Sequence, residues 1–386
     1  MPIEGSTQRQ TRRLRLGMVG GGLGGNIGRS HRAAALLDGR WDLVAGALSR
    51  DPAVAAASAT RWLIDPDRSY PDYRTMAERE AGREDRIDAV TICTRNDTHH
   101  PIARAFLGRG FHVVCDKPLT TSLEDARDLV RASRAAGRRL FVTYTYSGYP
   151  MVRLARDLIR AGELGEIRSV AVEYVSQYQA EPGDPADWQN DPALSGPLGV
   201  VAGTGTHAFH TAEFVTGLRV EELSADLASL VPGHRLEDHA TMHLRFDNGA
   251  RGHLWNTTIA PGNENGPGFR VHGSGGGLSW HQEHPNHLRS APTGRQPRIL
   301  TRGGFETSAS ADAATRVPAG HPEGYLEAFA NLYAEIADLL QPDGAAARGE
   351  SLCPTVRDGA RGVAFMLAAL ESSRADGRFV RLASVE

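Results

Sequence analysis

Leu14-Arg15-Leu16-Gly17-Met18-Val19-Gly20-Gly21-Gly22-Leu23-Gly24-Gly25 runs from an apolar, strand-like stretch straight into a glycine-rich turn, and a helix-forming segment over 27–37 follows at once. Gly20, Gly22 and Gly25 fall on a G-x-G-x-x-G spacing. In that setting glycines make the tight turn, let the backbone approach a pyrophosphate and allow close helix packing, with the anion resting on the helix N-terminus. Leu23 and Asn26 belong to the same candidate phosphate cradle. A plain glycine-rich turn is the alternative, and the strand before it and the helix after it argue against that.

The grammar around this stretch is regular. Strands are expected over 42–48, 87–94, 112–115 and 140–144, and helices over 52–61, 101–107 and 123–136. Such alternation implies right-handed crossovers and a parallel sheet covered on both faces. After Pro150 the pattern changes. One amphipathic helix over 151–160 precedes strands over 168–178, 222–230, 238–246, 250–255 and 269–272. Asp247-Asn248-Gly249 marks a hairpin between two of them. The segment 281–318, rich in Pro, Gly, Ser and Arg, reads as long loops, and helices over 323–340 and 355–372 close the chain. The expected fold is therefore α/β: an N-terminal Rossmann domain with a doubly wound parallel sheet, then a C-terminal α/β domain with a large, mostly antiparallel open sheet. The domain boundary falls between 147 and 148, and residues 1–12 form a flexible arm.

Composition narrows the function classes. The 386 residues suffice for two ordinary cores. The net charge is −3, and no basic block is interleaved with aromatics, so nucleic acid is not an expected partner. No stretch approaches the about 18 apolar residues needed to cross a bilayer, and residues 1–15 lack the apolar core of a signal peptide. Cys93, Cys115 and Cys353 lie far apart and read as buried free thiols in a reducing cytoplasm. His281, His284 and His287 lack a supporting ligand set, so no metal is expected.

Of the 43 basic side chains, only Lys117 is a lysine; the other positions carry arginine. A guanidinium is planar, forked and permanently charged, whereas an ammonium can shift its pKa and exchange a proton. Lys117 stands at the end of an expected strand and before Pro118, which marks it for chemistry. The second strand ends in Leu48-Ser49-Arg50, where an NAD site normally presents an acidic residue to the ribose. Ser49 and Arg50 suit the extra phosphate of NADP, while Asp51 stands ready for the ribose. The choice stays open, with NAD ranked ahead of NADP.

These residues resemble the glucose-fructose oxidoreductase, inositol dehydrogenase and rhizopine catabolism (Gfo/Idh/MocA) family of sugar and cyclitol dehydrogenases. The supports are the glycine loop, Thr94-Arg95-Asn96-Asp97-Thr98-His99-His100-Pro101, and Cys115-Asp116-Lys117-Pro118-Leu119, which is similar to a Glu-Lys-Pro signature with Asp for Glu. Gly203-Thr204-Gly205-Thr206-His207-Ala208-Phe209-His210 is similar to an Asp-x-Gly-x-His motif. Gly148-Tyr149-Pro150-Met151-Val152-Arg153 and Trp188 resemble the branch acting on anhydrosugars and glycosides.

The resemblance implies an active site between two domains, with Lys117 and His207 flanking the hydroxyl to be oxidised. It implies that Thr94, Asn96, His99, Asp116 and Lys117 serve the cofactor, that Tyr149, Trp188 and His210 join Lys117 and His207 in the substrate site, and that a homodimer or homotetramer assembles through the C-terminal sheet. Hydride removal from a secondary carbinol requires its proton to leave. His207, with an ordinary histidine pKa, would accept it, while Lys117, desolvated beside a positive nicotinamide, would stabilise the oxygen. Gly203 breaks the pattern, because the family carries Asp there; His210, Asp187 and Tyr149 are the candidates to replace it.

Three functions compete. The first is NAD(P)-dependent redox chemistry at a ring hydroxyl, the second is glycoside cleavage through transient oxidation with tightly bound NAD, and the third is a non-catalytic dinucleotide-binding regulator. Glu181, Asp184, Asp187 and Asp191 crowd one loop; a solvated acidic loop is the first reading, and a negative field suited to an amino sugar, as in an aminoglycoside-like metabolite, is the alternative.

Overall fold

The computed structural model describes residues 12–183, 188–341 and 351–386. The arm expected over 1–12 lies outside the described residues apart from Arg12, and Asp184 and Asp187 lie outside them as well. The first half contains β1 (Leu14–Gly20), α1 (Asn26–Leu37), β2 (Trp41–Ala47), α2 (Pro52–Trp62), α3 (Tyr73–Ala81), β3 (Ala89–Cys93), α4 (His99–Leu107), β4 (His112–Cys115), α5 (Leu123–Ala136) and β5 (Leu140–Val142). Its five strands are all parallel, in the order β2-β1-β3-β4-β5. Met18, Val90, Ile92, Val113 and Val114 are fully buried, as strands covered on both faces require. The order reverses between β1 and β3, and a crevice opens there beyond the C-terminal strand ends.

The second half begins with α6 (Pro150–Arg160), β6 (Ile167–Ser176), α7 (Pro192–Ser195), α8 (Thr206–Thr216), β7 (Val220–Ala228), β8 (His239–Phe246) and β9 (Arg251–Thr257). It continues with β10 (Asn265–Gly273), β11 (Gly276–His281), β12 (His287–Pro292), β13 (Arg298–Thr301), α9 (Ala309–Ala313), α10 (Tyr325–Leu340), α11 (Val356–Arg374) and β14 (Val380–Arg381). The nine strands run β13-β12-β11-β10-β6-β9-β8-β7-β14. All pair antiparallel except β6 with β9. The hairpin at Asp247-Asn248-Gly249 forms as expected, with Gly249 at φ 87°.

The expectation of long loops over 281–318 is corrected: β12 and β13 extend the sheet there. Their ladders bind backbone to backbone, so Pro292 and the arginines do not prevent pairing. Behind them Arg302, itself buried, holds the Glu323 carboxylate at 3.1 Å and the Val317 carbonyl at 2.7 Å.

Helix α10 lies far along the chain yet packs on α1 and completes the first core. Phe329, Leu332, Tyr333 and Ile336 share one apolar cluster with Leu16, Trp41 and Phe141. At its centre His31 Nδ1 meets the Tyr333 hydroxyl at 2.7 Å, and that hydroxyl meets Thr91 Oγ1 at 2.9 Å. Burial pushes the His31 pKa down from 6.5 to about 4. The unfolded chain takes a proton at His31 near pH 6.5, whereas the folded chain resists until about pH 4, so acid favours unfolding across that window. The expected result is a stability that is full above pH 6.5 and falls by roughly 3 kcal/mol from this group by about pH 4. Urea denaturation midpoints across the window measure it. A flat profile, or an equally steep one in His31→Gln, rules the account out.

Candidate active site

The glycine loop shows why side chains are absent there. A Cβ on Gly20 would stand 2.6 Å from the Cys93 carbonyl oxygen, and one on Gly22 would stand 2.8 Å from that of Leu48. Gly20 and Gly21 adopt φ 74° and 70°, a region that favours glycine. The closest approach of helix to loop falls at Gly28 rather than at Gly25, since a Cβ on Gly28 would lie 2.0 Å from the Gly21 carbonyl oxygen. Gly25 instead precedes α1, whose first turn has no side-chain cap. Its orphan N–H groups therefore remain available to an anion. Ser58 of α2 accepts the Leu23 N–H at 2.9 Å and props the turn from behind.

The loop forms one wall of a cavity of about 870 Å³. Gly20, Gly25, Asn26, Ser49, Arg50 and Thr94, all cofactor candidates, line it, and so does Trp188, which the resemblance assigns to the substrate site. Tyr73 and Arg74, which were not anticipated, line it beside Ser49 and Arg50, while Cys93 and Ile102 supply apolar wall. This shape and the uncapped helix fit a dinucleotide. Gly22 is buried, and Leu23 is exposed with its N–H held by Ser58; neither lines the cavity. Asp51, the alternative ribose ligand, is otherwise engaged: its Oδ1 accepts the N–H groups of Ala53 at 2.8 Å and Val54 at 3.2 Å and caps α2.

The remaining cofactor candidates hold the frame. Asn96 donates to the Ser195 carbonyl of α7 at 2.8 Å and ties the two halves together. His99 is fully buried, with one ring nitrogen 2.8 Å from the Pro118 carbonyl and the other 3.0 Å from that of Thr94. It fixes the Lys117 turn to the Thr94 turn with no nitrogen to spare. Asp116 accepts the Lys117 N–H at 2.8 Å and the Thr143 hydroxyl at 3.0 Å.

Lys117 leaves the end of β4, where the Asp116 N–H bonds to the Ile92 carbonyl at 3.1 Å, and so stands next to the Cys93-Thr94 wall. Its Nζ donates to the carbonyl of Gly203, crossing from the first half to the second. Burial lowers its pKa below the usual lysine value, and Asp116 opposes that. Gly203 sits in a single π-helical turn, Val201–Gly205, that leads into α8. Two residues missed in the sequence shape this turn. The Glu237 carboxylate accepts the Gly199 N–H at 2.8 Å and the Val201 N–H at 3.1 Å, and Asn256 donates to Thr204 Oγ1 at 2.7 Å. Both lie too far along the chain for spacing to signal them.

His207 follows on α8, buried in a cage of Tyr144, Tyr146 and Tyr174, with ring centroids 5.7, 4.9 and 6.1 Å away. Its Nδ1 has no hydrogen-bond partner among the described residues. Burial first, then Lys117 and His210, hold its pKa well below the usual histidine value. The expectation of an ordinary histidine pKa is thus corrected. His210 stacks on Tyr144 at 4.3 Å behind His207, and its pKa is pushed down to about 4 by burial. Tyr149 is buried between Tyr146 and Trp280. Neither His210 nor Tyr149 fills the space at Gly203, where a Cβ would meet no heavy atom of the described residues within 4 Å. Asp187 lies outside the described residues. Among the described residues, no cluster of three or more His, Cys, Asp or Glu side chains is arranged for a metal.

Comparison with known proteins decides the family. Residues 14–144 match the oxidoreductase family with an NAD-binding Rossmann fold, and 152–279 match the Gfo/Idh/MocA C-terminal domain. The chain belongs to the Gfo/Idh/MocA family. It is 34% identical to the uncharacterized oxidoreductase YfiI of Bacillus subtilis, over 84% of each chain. The levoglucosan dehydrogenase of Pseudarthrobacter phenanthrenivorans is 27% identical, over 90% of this chain and 92% of that one. An inositol dehydrogenase homolog from Azotobacter vinelandii, solved with NADH and myo-inositol, matches at 36% identity and a TM-score of 0.90, covering 96% of this chain and 98% of that one. The protein is thus an oxidoreductase with an NAD-binding Rossmann half. Among the described residues, no helix is long and apolar enough to cross a membrane.

Proposed function

We propose that this Gfo/Idh/MocA protein moves hydride between NAD and a secondary ring carbinol or ketone of a sugar, cyclitol or glycoside, using Lys117 and His207. The observation that carries the reading is the placement of the only lysine. Lys117 bridges the nucleotide half to the π turn that launches His207, at the sheet end where the cleft opens. The oxidised nicotinamide, when bound, supplies the hydride acceptor. Lys117 hydrogen-bonds the reacting oxygen and stabilises its developing charge. The hydroxyl proton passes to the Lys117–His207 pair, each member of which is biased toward its neutral form by burial. The open space at Gly203 takes a ring substituent next to the reacting carbon. Trp188 and Asn96 stand at the junction of the two halves, and His99 and Asp116 position the Lys117 turn.

The family supports this over a regulator, and so does the named chemistry of the similar dehydrogenases. An amino sugar is the narrower substrate. Its support from the acidic loop rests on Glu181, because Asp191 caps α7 by accepting the Ala193 N–H at 3.0 Å. Assembly as a homodimer or homotetramer is part of the reading. It is supported by the sheet face on which Thr241, His243, Arg251, His253 and exposed Trp255 stand side by side. The test is the near-ultraviolet absorbance of reduced nicotinamide across a panel of cyclitols, neutral sugars, amino sugars and glycosides. Stoichiometric reduction with a panel member supports the proposal. Glycoside cleavage without net reduction, or binding with no turnover at all, refutes it.

A further inference from the structure

We infer that the adenosine end of the cleft is built to hold a ribose 2′-phosphate, so that this chain takes NADP(H) at least as readily as NAD(H), with Arg50 reading the phosphate. The inference rests on the dinucleotide reading of the cleft and goes past it to the form of the dinucleotide.

A bare ribose diol is held by a carboxylate that accepts from both hydroxyls, whereas a 2′-phosphate needs donors and positive charge. Two carboxylates stand near the end of β2, and both are turned into helix ends. Asp51 caps α2 through Oδ1, with Ser49 Oγ accepting the Asp51 N–H at 3.1 Å. Asp72 lines the same cavity but is spent on α3, accepting the N–H groups of Arg74 at 2.8 Å and Thr75 at 2.9 Å and the Thr75 hydroxyl at 2.9 Å.

The cations are placed the other way. Arg50 is exposed, lines the cleft, and makes no hydrogen bond or ion pair to any described residue. Arg74 lines the same end, its guanidinium carbon 4.7 Å from the centroid of the Tyr73 ring. The turn carrying Tyr73 and Arg74 is fastened beside β2 by the Tyr70 N–H on the Gly46 carbonyl at 2.8 Å. Ser49, Arg50 and Arg74 thus surround one end of the cavity with a hydroxyl and two guanidiniums. An arginine fork meets a phosphate through two parallel, charge-assisted hydrogen bonds, and a diol offers it no anion.

Intrinsic fluorescence titration of the full chain with NADH and with NADPH tests this, alongside competition by adenosine 2′,5′-bisphosphate against adenosine 5′-monophosphate. The expected result is NADPH affinity equal to or above that of NADH, and stronger competition by the bisphosphate. Arg50→Ala should shift the NADPH-to-NADH affinity ratio toward NADH by about tenfold or more, with Arg50→Lys intermediate. NADH binding more than about tenfold tighter than NADPH would overturn the inference while leaving the dinucleotide reading intact. So would an Arg50→Ala ratio equal to that of the unaltered chain, which would make Arg50 a support for adenine alone. If neither nucleotide bound, the dinucleotide reading would fall and this inference with it.

Discussion

Lys117→Met lowers kcat for the responding sugar or cyclitol by about 10³-fold and leaves NADH binding within about threefold. Methionine keeps the length and apolar stem of lysine, so the half-buried path from β4 to the π turn stays filled. What disappears is the donor that reaches the Gly203 carbonyl and the group that meets the reacting oxygen. The loss is concentrated in turnover because the cleft walls that hold the nucleotide, from Gly20 to Arg74, do not involve the ammonium. Stopped-flow reduction and NADH fluorescence titration separate the two effects. Turnover within about tenfold of the unaltered enzyme would remove Lys117 from the chemistry.

His207→Ala is the second large effect, with an expected loss of about 10²–10³-fold in kcat. The variant also empties a cage of three tyrosine rings, which costs about 2 kcal/mol or more of stability on its own. His207→Gln fills most of that volume and keeps a polar tip, so it separates packing from proton handling. Equal turnover losses in both variants, with stability lost only in the alanine, identify a proton role. Recovery of near-normal turnover in the glutamine variant would reduce His207 to packing. Because Lys117 lowers the tendency of His207 to carry charge, and both groups are held toward their neutral forms by burial, the pair works as a unit. The Lys117→Met/His207→Ala double variant should therefore fall little below the worse single variant, rather than to the product of the two losses.

The nucleotide half was legible in the sequence because its signals are local. Short apolar strands buried on both faces, helices between them and a glycine turn at the first junction leave little freedom. Strand β4 and helix α5 were read to the residue for that reason. Helix α3 escaped because Tyr73–Ala81 carries few apolar residues and buries only Met76, Ala77 and Glu80. Strands β11, β12 and β13 escaped because glycine, proline and arginine leave only one or two buried apolar side chains per strand to mark the alternation.

At the site, Lys117 and His207 were visible by rarity and motif, and Gly203 by departure from motif. Asp51 looked free because sequence adjacency says nothing of a carboxylate folding back onto its own helix. Glu237 and Asn256 carried no local signal, although together they set the turn on which the Lys117 contact depends.

The late arrival of α10 bears on how the protein is made. Ribosomes release the first 150 residues long before Phe329 and Tyr333 exist, so His31, Trp41 and Thr91 wait without their wall during synthesis. The emerging nucleotide half carries an uncovered oily flank through that interval, a natural client for a holding chaperone. Messages truncated before codon 325 should yield aggregates rather than a smaller nucleotide-binding protein.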